Sequence, residues 1–594
     1  MTDALSRAAI LPEETLPSGA EVLAEGRALA REVTVGPSAF LTAQGVESET
    51  AFKQRAAEAR RIMQHAQIGF RSLDRSVEAA AEIHARVAEA GYRTDRYGIC
   101  LDWSMGYPRA QRDGRPKGTG LILQGEEDFA RLANAAPVAA HFGDFVIGMP
   151  AALENTAAAL RAGSTAIGNL GQYFTFELPG WRDDVATTRA TVAAIALAAA
   201  QPVPVLIHSN LDDGFAARFT DLASALGAVL LEAYIVDELI GGRVSHCYGH
   251  TFSRPLGRFA FQRALARVSN SPGTMVYGNT TAYGENEAAS YAALGAYLGV
   301  DIQAQRLMPS GHAVNPVPVT EAIRIPDIDE IVAAQIFCGE SVRRTEGVEQ
   351  FTGTDAVDAL ADRLVDGARR FKASVLAGLT EAGIDIDDPF EMFLSLRRIG
   401  AKRLEELYGP GREEAGAPNG RRPVEPSPVL DEISERAAQA LTRLPEAQRS
   451  AIAASDLRIV TATTDVHEYG KRLLDDMLAQ LGVTALDGQV STDPDRLAEV
   501  ARGADAIFLS TYNGVALSFL KALKSELAAR GLDVPVFIGG KLNQVPDTSN
   551  TSLPVDVGAE LGAEGAIVCR SVEDFYAPLA ALIEAKEPKG KTAQ

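Results

Sequence analysis

The most constraining stretch of the sequence is Asp465-Val466-His467-Glu468-Tyr469-Gly470, which separates a strand-like run from a helix-like run. Residues 457–464 are rich in β-branched side chains, whereas apolar residues recur at helical spacing in 471–482. The stretch is therefore predicted to be a βα loop, in which Gly470 permits a tight turn where the helix starts. A histidine two residues after an aspartate can offer one ring nitrogen to a metal while the carboxylate holds the other.

Two later apolar runs end in short or small side chains. Residues 504–509 lead into Ser510-Thr511-Tyr512, and residues 534–538 lead into Gly539-Gly540. Both runs are predicted to be buried strands, so three loops follow three strands. This order resembles that of the cobalamin-binding domains, in which three such motifs follow one another, and the resemblance extends over residues 456–586.

The resemblance implies that His467 displaces the cofactor's own dimethylbenzimidazole and binds its cobalt as the metal ligand. Asp465 would orient the ring of His467, and Ser510 would hydrogen-bond the displaced base. Tyr512 stands where the family carries a leucine and would line the tail pocket. The implied cofactor-binding residues are Asp465, His467, Gly470, Ser510, Tyr512, Gly539 and Gly540. An ordinary flavodoxin-like domain with a solvent-facing histidine is the alternative.

The composition argues against several classes of function. The 594 residues carry a formal net charge of −21, so no nucleic-acid partner is expected, because phosphates would be repelled. No apolar run is long enough to span a bilayer, so no membrane partner is expected either. The four cysteines show no pairing pattern, which favours a reducing cytoplasm over a disulfide framework.

From about residue 52 the sequence alternates between helix-like and strand-like runs. Short apolar runs end in polar or glycine-rich tips at residues 97–101, 145–147, 165–167, 205–207, 229–231 and 275–277. Repeated strand-then-helix units predict parallel strands, and their number predicts an α/β fold with a TIM-like (β/α)8 barrel. The carboxyl ends of such strands build the active site. An open doubly wound sheet is the alternative.

The predicted organisation has five parts. Residues 1–50 form an N-terminal arm, 51–354 the barrel that holds substrate, and 355–407 a helical extension. Residues 408–428 are rich in Pro, Gly, Glu and Arg and are predicted to be a linker. Residues 429–594 are predicted to be the flavodoxin-like (Rossmann-type) cobalamin-binding domain.

A barrel joined to a cobalamin-binding domain resembles the adenosylcobalamin-dependent mutases, and glutamate mutase in particular. Arg109 and Arg112 lie in a segment that resembles one with a substrate-binding arginine, and an arginine fork grips a carboxylate at two points. Glu238 and Tyr248 match the spacing of a substrate-binding glutamate and tyrosine. With His250, they form the predicted catalytic group.

The full arginine clamp of glutamate mutase has no counterpart here. Asn169 and His208 stand approximately where that family has two further arginines, and they are predicted to bind substrate. His312, Asn315 and Glu321 belong to a proline-rich segment and are predicted to hold substrate or the ribose of the adenosyl group. Residues 246–250 place two histidines and a cysteine together, but no further ligand cluster accompanies this possible metal site.

The resemblance predicts an adenosylcobalamin-dependent radical mutase that acts on a small carboxylic or amino acid related to glutamate or methyleneglutarate. A homo-oligomer, most simply a dimer, is expected from the family. A pyridoxal-phosphate aminomutase is one alternative, but it would need a lysine eleven residues after the ligating histidine, where this chain has Leu478. A corrinoid methyltransferase, which would carry a four-helix cap, and a non-catalytic cobalamin-binding protein are the others.

Overall fold

The computed structural model describes residues 5–213, 218–284, 286–546, 553–571, 574 and 576–586. The chain divides into two compact units, with the boundary between Pro428 and Val429. Both units are mixed α/β structures built on parallel sheets, so the predicted α/β class is confirmed. None of the described helices is long and apolar enough to cross a membrane.

The first unit is organised around parallel strands that pair in sequence order. In the described residues these are β1 (His65–Ile68), β2 (Arg96–Ile99), β3 (Ala139–Phe142), β4 (Ala166–Ile167), β5 (Leu206–Asn210), β6 (Val244–Cys247), β7 (Met275–Val276) and β8 (Ala313–Val314). Strands β1 to β6 form one sheet, and β7 pairs with β8. Single parallel bridges join Tyr248 to Val276 and Gln64 to Val314. These bridges link β6 to β7 and β8 to β1, so each strand has a parallel neighbour on both sides.

Helices connect most of these strands, as parallel pairing requires. The described α-helices of the first unit are α1 (Arg7–Ile10), α2 (Gly19–Leu29), α3 (Ala39–Gln44), α4 (Glu49–Glu58), α5 (Leu73–Glu89), α6 (Glu126–Ala133), α7 (Ala152–Arg161), α8 (Gln172–Thr175), α9 (Asp184–Ala199), α10 (Leu222–Ala233), α11 (Pro255–Val268), α12 (Glu287–Leu307), α13 (Ile328–Arg344), α14 (Asp355–Glu381) and α15 (Pro389–Tyr408). In α5, Ser72 caps the N-terminus through the backbone of Arg75, and Ala79, Ile83 and Val87 form a buried face.

Two predicted strands are wrong. Residues 145–147 lie after β3 without strand structure, and residues 229–231 lie inside α10. A short continuous apolar run does not distinguish a strand from a buried helix or loop. The helix α10 is apolar on most sides because it packs against both the sheet and α14.

The N-terminal segment folds onto the first unit. The backbone of Arg7 donates to Ala382, and the guanidinium of Arg7 pairs with Glu391 at 2.5 Å. Glu49 on α4 is buried and accepts a hydrogen bond from Arg96 of β2 at 2.8 Å. Residues of the predicted arm therefore contribute to the interior of their own unit.

The segment 408–428, predicted to be a linker, is folded and ends at the boundary between the two units. Arg412–Glu413 (β9) and Arg421–Arg422 (β10) form an antiparallel pair. Arg421 donates to backbone carbonyls between Glu406 and Gly411, which the end of α15 leaves without helical partners. Hydrogen bonds to the backbone thus order a segment whose composition lacks a hydrophobic pattern.

The second unit contains a parallel sheet whose described strands have the order β12-β11-β13-β14-β17. The strands are β11 (Arg458–Thr463), β12 (Thr484–Asp487), β13 (Ala506–Thr511), β14 (Val536–Gly540) and β17 (Ile567–Cys569), with an antiparallel pair of β15 (Asn543–Gln544) and β16 (Val555–Asp556). The helices are α16 (Pro428–Thr442), α17 (Glu446–Ala453), α18 (Tyr469–Gln480), α19 (Pro494–Val500), α20 (Ala516–Ala529), α21 (Gly558–Ala563) and α22 (Tyr576–Lys586). The chain reverses its direction of strand addition after β12, so the carboxyl ends of β11 and β13 form the crevice where open α/β sheets bind ligands.

A fully buried ion pair holds the loops after β6 and β7. The guanidinium of Arg258 on α11 pairs with both carboxylate oxygens of Asp301 on α12, each at 2.7 Å. It also donates to the backbone carbonyls of Gly249 at 2.9 Å and Tyr277 at 2.6 Å. Burial raises the pKa of Asp301, and Arg258 offsets part of that effect. Removal of the carboxylate would leave a buried cation without its counter-ion.

We expect Asp301→Asn to lower the free energy of unfolding by about 3–5 kcal/mol, because Arg258 would lose its buried counter-charge. Both tryptophans, Trp103 and Trp181, lie in the first unit, so urea unfolding followed by tryptophan fluorescence reports on that unit. Asp329→Asn is the matched control, because Asp329 pairs with Arg86 at the surface. An equal loss in both variants would contradict the role of the buried pair.

Candidate functional site

The motif from Asp465 to Gly470 lies at the carboxyl end of β11. Asp465 is buried, and its Oδ1 lies 3.0 Å from the backbone nitrogen of His467 and 2.5 Å from the Nδ1 of the same residue. A carboxylate only accepts, so in the neutral ring Nδ1 carries the proton and Nε2 has the lone pair that suits a metal. The side chain of His467 keeps 14% of its surface exposed.

Asp465 also binds the loop that follows β13. Its Oδ2 accepts from the backbone of Tyr512 and of Asn513, both at 3.1 Å, and from the hydroxyl of Thr464 at 3.0 Å. Burial acts to raise the pKa of Asp465, but the charge of His467 and the hydrogen bonds outweigh it and lower that pKa. Asp465 is therefore ionised at neutral pH and ties the loops after β11 and β13 together.

The ring of His467 is also fixed by an aromatic contact. Tyr512 stacks on it with 4.4 Å between ring centroids and 27° between planes. The Nζ of Lys541 lies 4.1 Å from the centroid of the Tyr512 ring. Lys541 directly follows the Gly539-Gly540 motif, but it is not among the residues predicted from the sequence.

Small residues bring the neighbouring strand ends together. Ser510 at the end of β13 pairs in register with Gly539 of β14, and Thr511 with Gly540. A Cβ on Gly470 would lie 2.2 Å from the Oγ of Ser510, so only glycine permits this approach without a shift. The predicted motif residues thus lie on adjacent strand ends, while their contact with a cofactor stays a prediction.

We expect Asp465→Asn to destabilise the second unit by about 2 kcal/mol at neutral pH, because the buried hydrogen bonds to the carboxylate weaken. The pKa of Asp465 is lowered in the folded state, so its contribution is present above the unfolded value, about 3.9, and is lost as pH falls through the folded pKa. Urea unfolding followed by far-UV circular dichroism measures this difference, and it should shrink towards about pH 3.

The control is Asp533→Asn. Asp533 is exposed, precedes β14 and makes no hydrogen bond to the motif in the described structure, so the stability of this variant should equal that of the wild type. A difference between Asp465→Asn and the wild type that does not change with pH would contradict the assignment to the ionised carboxylate.

Glu238 does not lie with Tyr248. Glu238 is exposed on the π-helical turn Tyr234–Ile240, where it pairs with Lys372 at 3.3 Å, and this turn precedes β6. Tyr248 is buried at the opposite, carboxyl end of β6, and its ring packs on Phe252. The prediction that Glu238 lines the chamber is therefore corrected, because its spacing from Tyr248 spans the whole strand.

The two arginines of the predicted substrate loop are placed differently. Arg112 is buried, and its guanidinium donates to the backbone carbonyls of Leu123 at 3.0 Å and of Met105 and Tyr107 at 3.4 Å. This cation holds its own loop, while its Nε is buried without a hydrogen-bond partner in the described structure, so its contact with a substrate carboxylate stays a prediction. Arg109 is exposed on a 3-10 turn, and its backbone donates to Glu154 at 2.7 Å.

Asn169, His208 and His312 are all buried and engaged in the fold. Asn169 accepts a hydrogen bond from the backbone of Asn210 at 2.8 Å, and His208 Nδ1 lies 2.9 Å from the hydroxyl of Thr274. His312 precedes β8, its Nε2 lies 3.1 Å from the carbonyl oxygen of His246, and its ring packs edge-on against that of Tyr248 with 5.6 Å between centroids. Its role as a substrate ligand stays a prediction.

A different group of residues gathers at the carboxyl ends of the strands. His250 stacks on Tyr277 with 3.8 Å between ring centroids. Burial, with the charges of Asp144 and Glu321, raises the pKa of Cys100 to about 12. Of this group, His250 and Glu321 are predicted site residues from the sequence, whereas Cys100, Asp144 and Tyr277 are not. Asp144 is not predicted because the sequence pattern places a strand at the next three residues, so Asp144 would precede a strand and not follow one.

The possible metal site at residues 246–250 is not formed. His246 Nε2 lies 2.8 Å from Glu232 on α10, whereas His250 stacks on Tyr277. No group of three or more His, Cys, Asp or Glu side chains in the described part of the chain could hold a metal ion.

No protein-family model matches the chain, and no curated protein matches it. The crystal structure of a novel cobalamin-binding protein from Desulfitobacterium hafniense DCB-2 is similar over 26% of this chain and 89% of that chain, with 17% identity and a TM-score of 0.19. The structure of Leishmania donovani UMP synthase is similar over 91% of this chain and 98% of that one, with 12% identity and a TM-score of 0.27. Both TM-scores are low, and neither likeness says what this chain binds.

Proposed function

We propose that the second unit binds cobalamin and that His467 is the protein's ligand to the cobalt. The observation that carries this proposal is the Asp465–His467 pair at the carboxyl end of β11, which engages Nδ1 and leaves the metal-binding role to Nε2. The strand order is typical of flavodoxin-like domains, and β11 adjoins the switch point where such domains bind their cofactors.

The residues around His467 fit a bulky group with a buried tail. Gly470, Gly539 and Gly540 present no side chains at the strand ends, and Ser510 offers a hydroxyl between them. The aminomutase alternative is disfavoured because Leu478, which stands in place of its lysine, is 1% exposed in α18. The methyl-carrier alternative is disfavoured because the described residues between the unit boundary and β11 form two helices, α16 and α17.

The first unit then holds the substrate of an adenosylcobalamin-dependent mutase. The parallel neighbours of β1 to β8 support a closed TIM-like barrel, whose carboxyl ends form the chamber. The cofactor, when bound, supplies an adenosyl radical that abstracts a hydrogen atom. The chain's own task is to orient the substrate and exclude water, for which the buried His250–Tyr277 stack and the half-buried Cys100 are suited.

We expect the wild-type protein to retain adenosylcobalamin through gel filtration in dim light, with the absorbance spectrum of a base-off, histidine-ligated form. His467→Ala should lose the cofactor or change its spectrum, because the axial nitrogen is removed. His84→Ala is the matched control, since His84 is partly exposed on α5 of the first unit. Failure of the wild type to retain the cofactor, or an unchanged spectrum in His467→Ala, would contradict the proposal.

Gly470→Ala tests the space for the cofactor's tail. Its Cβ would force the hydroxyl of Ser510 to move, so we expect roughly tenfold weaker binding of cobalamin. Cobinamide, which lacks the nucleotide tail, should bind the variant and the wild type equally. Gly562→Ala is the control, because the nearest atom to its Cβ would be 4.0 Å away. Equal weakening for cobalamin and cobinamide would contradict a tail pocket at Gly470.

The mutase reaction has its own test. The loaded protein is mixed with small carboxylic and amino acids and examined by electron paramagnetic resonance, and a substrate-dependent radical signal is expected. Retention of the cofactor without a signal from any such acid would leave cobalamin binding in place and contradict the mutase assignment.

A further inference from the structure

The carboxyl end of β3 carries a buried histidine nitrogen that has no partner in the described part of the chain. His141 is 2% exposed, and its Nδ1 lies 2.8 Å from the carbonyl oxygen of Ala166. A carbonyl only accepts, so Nδ1 carries the ring proton. Burial and the charge of Arg96 lower the pKa of His141 well below its usual range, so the ring is neutral. Nε2 is therefore an acceptor, and no donor reaches it.

That nitrogen faces the end of its strand. A Cβ on Gly143 would lie 2.5 Å from the Nε2 of His141, so only the absence of a side chain at Gly143 leaves room for this atom. Asp144 follows directly, is partly buried, and has no hydrogen bond or ion pair among the described residues. Burial, followed by the like charge of Asp213 after β5, raises the pKa of Asp144 to about 7, so a cation beside it would favour its ionised form. Nε2 of His141 and the carboxylate of Asp144 are thus two acceptors near the end of β3, and neither has a hydrogen-bond donor in the described structure.

The strand end of β5 adds a third acceptor. The Oδ1 of Asn210 is buried without a partner, and Asn210 alternates in β5 with His208, whose ring lies 4.4 Å from that of His141. Between β3 and β5, Gly168 at the end of β4 presents no side chain, and a Cβ there would lie 2.7 Å from His208. The side chains of β3 and β5 can therefore approach the same ligand.

We propose that the carboxyl ends of β3 and β5 bind a positively charged amino group of the substrate. Asp144 supplies the counter-charge, and Nε2 of His141 and Oδ1 of Asn210 accept hydrogen bonds from the ammonium. An ammonium has three donors and no acceptor, which matches three unpartnered acceptors around one negative charge. A carboxylate at this position would meet acceptors and a like charge. That the bound amine is a substrate depends on the proposed mutase function. That these strand ends bind an amine does not.

The opposite side of the strand ring offers a donor. Asn315 at the end of β8 is 1% exposed, and its Nδ2 has no hydrogen-bond partner in the described structure. An amide N–H suits a carboxylate or carbonyl oxygen elsewhere on the ligand. The substrate class is therefore an amine that also carries a carboxylate or carbonyl oxygen, such as an amino acid, and a dicarboxylate without an amino group is disfavoured.

The test is calorimetric titration of the full chain without cobalamin. L-Ornithine, putrescine and glutarate are the probes, because they share a short aliphatic chain and differ in their charged ends. We expect saturable binding of at least one amine and none of glutarate. Asp144→Asn should weaken amine binding roughly tenfold or more, since a charged hydrogen-bond partner is lost. Asp144→Glu, which keeps the charge, should restore part of the affinity.

Asp113→Asn is the matched control, because Asp113 is exposed in the loop after β2 and the charge change is the same. Asp144→Asn should unfold at the same temperature as the wild type or higher, since Asp144 has no partner to lose and is near Asp213. Absence of binding by both amines, equal binding in Asp144→Asn, or tighter binding of glutarate would overturn the inference. Retention of cobalamin is measured separately, so failure of amine binding would not contradict cobalamin binding, and the reverse also holds.

Discussion

The guanidinium of Arg96 is the group on which the interior of the first unit depends. It donates to Glu49 at 2.8 Å and to Nδ1 of His65 at 3.3 Å, and Glu49 belongs to the N-terminal segment. Because a guanidinium cannot accept, the Nε2 proton of neutral His65 must point to Gln67, whose amide donates to the sulfur of Cys100 at 3.1 Å. The direction of this chain of hydrogen bonds is thus set at the amino end of the strands and reaches their carboxyl end.

The same cation controls protonation across the interior. Burial, followed by the charge of Arg96, lowers the pKa of His65, His141 and His208 well below the usual range, so these rings are neutral and each keeps one acceptor nitrogen. Burial also lowers the pKa of Lys53 to about 8, and its Nζ donates to two backbone carbonyls. Both cations are thus engaged within the unit, and neither pairs with Asp144.

Local spacing predicts contacts only where the residues concerned belong to one loop. Asp465 and His467 are two residues apart in a βα loop, so the sequence is sufficient to predict their hydrogen bond. Glu238 and Tyr248 are separated by the whole of β6, and equal spacing to a family motif does not place them at one end of the strand. Asp144 follows β3, whose Ala-Ala-His-Phe sequence lacks β-branched residues, so propensity does not identify the strand.

Two buried arginines of the first unit, Arg112 and Arg258, are bonded mainly to the backbone. Arg112 satisfies carbonyls of its own loop, and Arg258 satisfies carbonyls of the loops after β6 and β7 while paired with Asp301. Each guanidinium has five donors, and those bonded to backbone carbonyls are not available to a substrate. The strand ends of β3 and β5 instead present Asp144 and neutral acceptors. The proposed ammonium site would give this end of the predicted chamber the opposite polarity to that of an arginine clamp.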